Sequence, residues 1–253
     1  MGDVAMTVPV LRCLIKKYPD CEITLATREI YKPIFREFQK INFHDVDFKK
    51  RHKGIKGLLA LFKELKKLRP THIADLHSVI RTHFLCWLFR INLFKIKRVD
   101  KQRAERKKLF RKKNKIFKPL TPIQFKYCEV FNRLGFNIDL TNHEFASPFI
   151  INNDTQQIIY GINNKLKWVG VAPFASFNGK TYPLDLMQQL VAFLQRDHQV
   201  FLFGSGDFEI GKLEIWANAY QNVFGAYKLG SLYNELEIIS NLDLMIAMDS
   251  ANG

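Results

Sequence analysis

Residues 168–183 read WVGVAPFASFNGKTYP and combine an apolar run, a polar loop and a proline. The apolar run, Val169 to Ala172, is typical of a fully buried parallel strand. Beyond Pro183, apolar residues return at helical spacing, from Leu184 to Leu194. Because proline is favoured in the first turn of a helix, the stretch predicts a strand, a loop and a helix in that order.

The loop of this stretch carries Ser176, Lys180 and Thr181. A loop between the carboxyl end of a parallel strand and a helix N-terminus offers free N–H groups and a positive dipole end to an anion. The loop around Lys180 is therefore a candidate phosphate site. The alternative is that Lys180 is a solvated lysine, as most loop lysines are.

The composition describes an ordinary globular protein with a strongly basic surface. The 253 residues are 47% hydrophobic and 25% charged, and the net charge is +15. The length suggests one large or two medium domains, and the charge favours polyanionic partners. The four cysteines are scattered without zinc spacing, which indicates reduced thiols in a cytoplasmic protein. No apolar run reaches the roughly 18 residues that a membrane-spanning helix needs.

Strand and helix patterns alternate along the chain, which predicts βαβ units and a parallel sheet. The predicted strands cover residues 22–26, 43–48, 72–76, 97–99, 169–172, 200–203, 223–224 and 242–248. The predicted helices include residues 30–38, 55–68, 80–89, 124–134 and 154–163. Asp154 or Thr155 is the expected cap of the last of these helices, and Ser231 is the expected cap of a later one.

Residues 137–148 are polar and irregular, which predicts the approach to a linker between domains at 1–150 and 151–253. An α/β domain normally opens with a strand that leads into a turn, but the chain starts directly with the turn. The last predicted strand, Leu242 to Met248, has no crossover helix after it. We therefore expect a fragment that lacks the first strand and a C-terminal part.

Three predicted strands of the second half end in small or polar residues. These ends are the loop with Ser176 and Lys180, the segment from Gly204 to Glu209, and Asp249-Ser250. Ligands bind at the carboxyl ends of strands in open α/β sheets, so the three loops together predict a ligand site. Glu209 can accept hydrogen bonds from a ribose or simply stabilise a helix N-terminus, and Asp249 can bind a sugar or cap a strand end.

Residues 95–118 hold 13 Lys and Arg residues against two acids, Asp100 and Glu105. Such a block tends to be mobile and to contact anions, although a solvated loop is the alternative. A nucleic-acid-binding protein is therefore a competing class. The chain shows no helix-turn-helix, zinc spacing or aromatic RNA-binding signature that would support it.

Several short motifs, taken in order and with their spacing, resemble glycosyltransferase family 9, the ADP-heptose:lipopolysaccharide heptosyltransferases. The segments that carry the resemblance are Gly2-Asp3-Val4 with Thr7 and Pro9, Asp75-Leu76-His77 with Arg81-Thr82, Ala175-Ser176 with Lys180 to Pro183, Leu229 to Leu232, and Asp249-Ser250-Ala251. They correspond to the family's opening turn, its D-x-Q-G-x-x-[KR]-S stretch, its K-x-W-P loop, the stretch before the last motif, and D-[ST]-G-x-x-H.

The chain departs from the family pattern at a few positions. Ala251 replaces a glycine, Tyr182 replaces a tryptophan and His77 replaces a glutamine. The chain also ends before the histidine of the last motif. None of these changes removes a group that the chemistry needs, but they leave the identity of the donor open.

The resemblance implies a GT-B architecture, in which two Rossmann-like domains with parallel sheets face each other across a cleft. It also implies inverting transfer of a heptose from ADP-heptose to a lipopolysaccharide inner-core acceptor without an obligatory metal or other cofactor. The sequence is compatible with this, because it has no D-x-D motif to hold a cation. By resemblance Asp3 is the general base and Lys180 stabilises the leaving diphosphate. Without the resemblance, Asp3 would be interpreted as a helix N-cap.

Under this hypothesis the donor binds on the second half of the chain and the acceptor on the first. The donor-binding candidates are Ser176, Gly204, Glu209, Gly230, Asp249 and Ser250, and the acceptor-binding candidates are Thr7, Arg81 and Arg103. The positive charge suits an anionic glycolipid at the cytoplasmic face of the inner membrane, with peripheral membrane contact and no nucleic acid. The alternatives are a GT-B enzyme with another nucleotide sugar or acceptor, an inactive family member, or a non-enzymatic polyanion-binding protein.

Overall fold

The computed structural model describes residues 1–141 and 143–248 of the chain. The chain separates into two compact units. The first contains Met1 and Asp3–Phe145, and the second contains Gly2 and Ala146–Gly253. Each unit has its own parallel strands and its own apolar core.

Strands and helices alternate over residues 1–145. The helices are α1 (Gly2–Ala5), α2 (Val8–Lys17), α3 (Gly54–Lys67), α4 (Ile80–Ile91), α5 (Arg103–Leu109) and α6 (Ile123–Leu134). The strands are β1 (Ile23–Thr27), β2 (Ile41–Asp45), β3 (His72–Asp75) and β4 (Lys95–Arg98), and a 3-10 helix covers Glu29–Phe35. Two short strands pair in each of two parallel sheets, β1 with β2 and β3 with β4.

The first unit is held together by helices that bury one apolar side. Leu58 and Leu61 of α3 pack with Leu85 of α4, and Phe89 of α4 packs with Ile96 of β4. The apolar residues within 22–26 predict a buried strand, but the side chains of β1 alternate between half-buried and exposed. An alternating pattern is what a strand shows when one face of its sheet is open to solvent.

The second unit continues the alternation. Its helices are α7 (Asn153–Ile158), α8 (Leu184–Leu194), α9 (Gly206–Ala219) and α10 (Leu232–Ser240). Its strands are β5 (Lys167–Ala172), β6 (His198–Leu202), β7 (Val223–Gly225) and β8 (Leu244–Ala247), and 3-10 helices cover Asn178–Lys180 and Ala226–Leu229.

One parallel sheet of four strands in the order β7-β6-β5-β8 organises the second unit. Helices cover both of its faces. Val169, Val171, Val200 and Leu202 pack with residues of α8 and α9 on one face, while residues of α10 pack with Phe201 on the other. Burial on both faces explains why β5 and β6 appear in the sequence as continuous apolar runs rather than alternating ones.

The structure differs from the sequence-based expectation at two places in this unit. The N-cap of α7 is Asn152, whose side chain accepts a hydrogen bond from the Thr155 N–H at 2.8 Å, and not Asp154 or Thr155. Glu237 of α10 accepts a hydrogen bond from the backbone N–H of Asn152. The start of α7 is therefore fixed by a residue that is distant in the sequence. In addition, the apolar run at 242–248 predicts a buried strand, but β8 is an edge strand of the described sheet, and Leu244 is 52% exposed. Ser231, by contrast, caps α10 as predicted.

The basic stretch, residues 95–118, contains β4 and α5 and exposes nearly all of its Lys and Arg side chains. No helix within the described residues combines the length and the apolar character needed to span a membrane. The excess of positive charge therefore lies mainly on the surface of the first unit, where it faces solvent.

A polar network fixes the segment that leads into α3. His52 is fully buried, and its Nδ1 accepts a hydrogen bond from the Asp47 N–H at 3.1 Å. Its Nε2 therefore carries the proton and donates to Glu64 Oε2 at 3.2 Å, an oxygen that also lies 2.9 Å from His44 Nε2. A Cβ on Gly57 would lie 2.3 Å from the carbonyl carbon of His52, so the approach of α3 to this segment requires glycine.

The network lowers the pKa of Glu64. Burial acts to raise that pKa, but the hydrogen bonds from His52 and His44, together with the charge of Arg51, outweigh it. A carboxyl whose pKa is lower in the folded state adds stability above its unfolded pKa, and this stability is lost as the pH falls through the folded value.

We predict that Glu64→Ala destabilises the protein at pH 7 by about 1–3 kcal/mol, because the buried His52 N–H loses its acceptor. The difference between the variant and the wild type is expected to shrink as the pH falls below the ordinary glutamate value of 4.5. Urea unfolding followed by circular dichroism at neutral and acidic pH measures both effects.

Glu129→Ala is the matched control, since Glu129 is exposed and pairs with Arg133 one helical turn away. A loss of stability in Glu64→Ala that equals the control, or that does not change with pH, would contradict the role given to the network.

Candidate functional site

The four-stranded sheet brings several loops to one edge. Because β5, β6 and β8 are parallel, their carboxyl ends lie on the same side of the sheet. The chain passes from β5 outward to β6 and β7 and then returns to place β8 on the other side of β5. Loops that follow strands on either side of such a reversal diverge and leave a crevice, which is where ligands bind in open α/β sheets. The strand order therefore predicts a crevice at the ends of β5 and β8.

The loop after β5, residues 173–183, carries Lys180 to this crevice. Its 3-10 turn is closed by the Lys180 N–H, which donates to the Phe177 carbonyl at 2.9 Å. The Lys180 ammonium lies 5.9 Å from the centre of the exposed Phe177 ring. The Tyr182 N–H reaches Met248 Sδ at 3.4 Å, so the loop is joined to the residue that follows β8. Ser176 and Lys180 are both exposed at this edge.

The loop after β6 is closed by Glu209. Its carboxylate Oε2 accepts a hydrogen bond from the Ser205 N–H at 2.8 Å, and Gly206 has a left-handed backbone with φ of 78°. A Cβ on Gly204 would lie 2.9 Å from Leu213 Cδ1 and 3.2 Å from Glu209 Oε2. One oxygen of Glu209 therefore shapes the turn, and the missing side chain of Gly204 makes room for it.

The remaining donor-binding candidates lie farther away or outside the described residues. Gly230 follows β7, the strand at the far edge of the sheet, and its φ of 71° ends a 3-10 helix before α10. Asp249 and Ser250 lie outside the described residues. The structure thus brings Ser176, Lys180, Gly204 and Glu209 to one edge and places Gly230 at the outer strand.

The first unit has a second polar edge, at the carboxyl ends of β3 and β4. Asp75 is buried, and its Oδ1 accepts from the N–H groups of His77 and Ser78 at 3.1 and 2.9 Å. The Cys86 thiol lies 3.7 Å from Asp75 Oδ2, and burial together with the Asp75 charge raises the pKa of Cys86 to about 12. The thiol therefore keeps its proton and donates to Asp75, which fixes the loop after β3.

Asp3 lies at this edge in α1. Its side chain is 68% exposed, and its carboxylate is 3.9 Å from Lys101 Nζ. The Tyr127 hydroxyl donates to the Asp3 carbonyl oxygen at 3.3 Å, and burial raises the pKa of Tyr127 to about 12. The segment that carries Asp3 is thus anchored from α6 while its carboxylate stays open to solvent.

His77 is the residue that sequence reasoning missed as a functional group. Burial and the charge of Lys101 lower the pKa of His77, against the opposing charges of Asp75 and Asp3. Its ring is therefore neutral at neutral pH and can donate or accept a hydrogen bond. The available signal is its position in the D-x-Q-G-like stretch, where it replaces a glutamine.

The acceptor-binding candidates have different surroundings. The Thr7 hydroxyl donates to the Val4 carbonyl at 2.7 Å, and the Arg81 guanidinium lies 4.4 Å from the centre of the Phe48 ring. Arg103 donates to the Ser78 carbonyl at 3.1 Å, which joins α5 to the loop that carries His77. Ser78 and Gln102 both have φ of 47°. Such backbone strain in residues other than glycine clusters at functional sites.

Two other features of the described residues do not mark the site. No group of three or more His, Cys, Asp or Glu side chains among them is placed to hold a metal ion. A cavity of about 640 Å³ lies beside Trp168 at the amino end of β5, and no charged side chain lines it. Anionic ligands therefore fit the carboxyl edge better than this cavity.

Comparison with known proteins found similarity to solved structures; no protein-family model and no curated protein sequence matches the chain. A glycosyltransferase family 9 protein from Veillonella parvula superposes with a TM-score of 0.72 at 20% identity, over 97% of this chain and 72% of that one. The structure of E. coli heptosyltransferase WaaC with ADP superposes with a TM-score of 0.68 at 15% identity, over 99% of this chain and 79% of that one. The structure of E. coli ADP-heptose lps heptosyltransferase II superposes with a TM-score of 0.61 at 14% identity, over 99% of this chain and 76% of that one.

These similarities confirm the fold predicted from the sequence, an α/β protein of the GT-B type with parallel sheets. The resemblance to glycosyltransferase family 9 is thus confirmed at the level of the fold. WaaC has also been solved with ADP-2-deoxy-2-fluoro heptose, with the same TM-score of 0.68.

We predict that Gly204→Ala destabilises the second unit by about 1–3 kcal/mol, since overpacking beside a fully buried leucine forces a shift of the turn. Gly211→Ala is the matched control, because nothing lies within 4 Å of the Cβ that it would add to α9. That change is expected to be neutral or stabilising by up to about 1 kcal/mol. Thermal unfolding measures both, and equal effects would show that the turn after β6 is not tightly packed.

Proposed function

We propose that the chain is an inverting glycosyltransferase of family 9 that transfers a heptose from ADP-heptose to an anionic glycolipid of the lipopolysaccharide inner core. The observation that carries the proposal is the Lys180 loop at the strand reversal between β5 and β8, in a fold shared with an ADP-bound heptosyltransferase. A cation at this edge is what a diphosphate leaving group needs.

The donor would bind at the carboxyl edge of the four-stranded sheet. Lys180 would neutralise the charge that develops on the leaving diphosphate, and the hydroxyls of Ser176 and Ser250 would donate hydrogen bonds to it. The backbone at Gly204 and Gly230 would allow close approach, while Glu209 and Asp249 would accept hydrogen bonds from ribose and sugar hydroxyls. For Glu209 this role falls to Oε1, because Oε2 already accepts from Ser205.

Asp3 would act as the general base. Its exposed carboxylate takes the proton of an acceptor hydroxyl, and the hydroxyl oxygen attacks the anomeric carbon. The bond from that carbon to the phosphate oxygen breaks, and the nucleoside diphosphate leaves with the electron pair. Attack opposite the leaving group inverts the anomeric configuration. Lys101, 3.9 Å from Asp3, would hold the carboxylate in place, and no metal is needed in this scheme.

The acceptor would bind at the polar edge of the first unit. The carboxylates and phosphates of an inner-core glycolipid match Arg81, Arg103 and the exposed cations of the basic stretch, and Thr7 would contact a sugar hydroxyl. Such a substrate implies a cytoplasmic enzyme in peripheral contact with the inner membrane. A GT-B transferase with another nucleotide sugar or acceptor is the alternative, since nothing in the described residues selects adenine.

We predict that Asp3→Ala lowers kcat by about 10²- to 10⁴-fold with little change in nucleotide affinity, because only the proton acceptor is removed. Release of nucleoside diphosphate is measured with ADP-heptose and with other UDP-, GDP- and ADP-sugars on a Kdo-containing lipid A acceptor, with and without EDTA. Asp20→Ala, an exposed aspartate after α2, is the control.

Turnover with ADP-heptose that persists in Asp3→Ala would rule out the assigned base. Turnover only with a donor other than ADP-heptose would favour the alternative, a GT-B transferase with another nucleotide sugar. Loss of turnover in EDTA would contradict the metal-free scheme.

We predict that Lys180→Ala weakens ADP binding at least tenfold, because a hydrogen bond from a charged group contributes about 1.5–3 kcal/mol. Lys165→Ala is the matched control, since Lys165 is an exposed lysine just before β5, at the opposite edge of the sheet. Calorimetric titration with ADP gives both affinities. Equal affinity of the two variants would remove Lys180 from the donor site.

A further inference from the structure

The helix α4 is apolar on both of its sides. Leu85, Cys86 and Phe89 face the core and are buried. The opposite side carries Ile80, Phe84, Trp87 and Ile91, which recur at helical spacing, and Leu93 follows directly. We call these five residues the α4 ridge. A surface helix of a globular protein normally has polar residues on its outer side, so the ridge requires an explanation.

Four residues of the α4 ridge are open to solvent, and the fifth, Phe84, is half-buried and packs against the core. Ile80 is 88% exposed, Trp87 56%, Ile91 60% and Leu93 93%. Phe84 stacks on Trp87 with ring centres 6.0 Å apart, which makes a flat aromatic patch in the middle of the helix. A contiguous exposed apolar patch of this kind marks a surface that contacts another protein or a membrane.

Cations border the α4 ridge. At about 100° per residue, Arg81 and Arg90 fall on opposite sides of it. The helix α3 packs beside α4, and its lysines at positions 56, 63, 66 and 67 are exposed. Lys66 donates to the Asn92 side chain at 2.7 Å, which places it at the end of α4. Residues 79–98 contain no acidic residue.

This combination favours one partner. Apolar and aromatic side chains bordered by lysine and arginine are characteristic of surfaces that lie in the interface of an anionic bilayer. Association of two copies through the ridge would instead bring two strongly basic surfaces together, since the chain carries a net charge of +15, and the repulsion opposes it.

We propose that the α4 ridge inserts into the headgroup region of an anionic lipid bilayer while the cations of α3 and α4 contact its phosphates. This inference rests on the proposed function in so far as the acceptor is a membrane glycolipid, and it names the face of the first unit that meets the membrane. Tryptophan is favoured at this depth of a bilayer, so Trp87 is the central anchor.

Flotation of the full-length protein with phosphatidylcholine vesicles, with and without phosphatidylglycerol, tests the proposal. We expect binding to the anionic vesicles and a blue shift of tryptophan emission from Trp87. The other two tryptophans already lie inside the second unit, Trp216 at 3% exposure and Trp168 half-buried. The double change Trp87→Ser with Ile91→Ser is expected to lower the partition coefficient at least tenfold and to abolish the shift.

Phe208→Ser is the matched control, since Phe208 is 70% exposed on α9 of the second unit, and it is expected to bind vesicles normally. Circular dichroism confirms that the variants are folded. Unchanged vesicle binding of the double variant, or a dimer in sedimentation that the double variant abolishes, would overturn the proposal.

Activity separates this inference from the proposed function. Transfer to a detergent-free, water-soluble acceptor fragment is expected to be the same in the double variant and the wild type, while transfer to vesicle-borne acceptor falls. Equal transfer to vesicle-borne acceptor in both proteins would overturn the inference and leave the proposed reaction intact. Vesicle binding that depends on the α4 ridge, without any transfer to either acceptor, would support the inference and contradict the proposed reaction.

Discussion

The second unit depends on the parallel pairing of β5 with a strand on each side. Val169 and Val171 pair with β6, and Ala172 pairs with β8. Gly170 keeps this arrangement compact, because a Cβ there would lie 2.5 Å from both Leu242 Cδ1 and Met245 Sδ. Parallel pairing forces every connection to cross back over a face of the sheet, so the loops that leave the carboxyl ends emerge together. The loops that carry Lys180 and Gly204 therefore lie at the same edge of the sheet, although the two residues are 24 positions apart in the sequence.

In the first unit a buried carboxylate, that of Asp75, fixes the conformation of a loop. Asp75 organises the loop after β3 through two backbone N–H groups, and the strained backbones of Ser78 and Gln102 are held where that loop meets the start of α5. The energy of that strain is offset by hydrogen bonds such as the one from Arg103 to the Ser78 carbonyl. Charged side chains here serve first to shape the loops, and the exposed groups that remain are those that can meet a ligand.

Local patterns predicted most elements of the chain but not how they pair. Apolar runs located β5 and β6 because helices bury both faces of these strands, and the serine before α10 predicted its cap. The order of the strands, with β8 at an edge, is decided by long-range packing that periodicity does not contain. The cap of α7 depends on Glu237, some 85 residues away in the sequence. The use of Glu209 Oε2 inside its own turn and the environment of His77 likewise depend on contacts that the sequence alone does not reveal.

Because the Cys86 thiol donates a hydrogen bond to Asp75, its rate of chemical modification reports how often the loop after β3 opens. A thiol reacts with alkylating or oxidising reagents as its anion, and a pKa of about 12 leaves almost none of that anion at neutral pH. Reaction at Cys86 must therefore wait for the loop and α4 to separate. The half-exposed Cys13 and Cys21 need no such opening. The delay between their modification and that of Cys86 would report how often the edge beside Asp3 opens, and a bound acceptor would lengthen it.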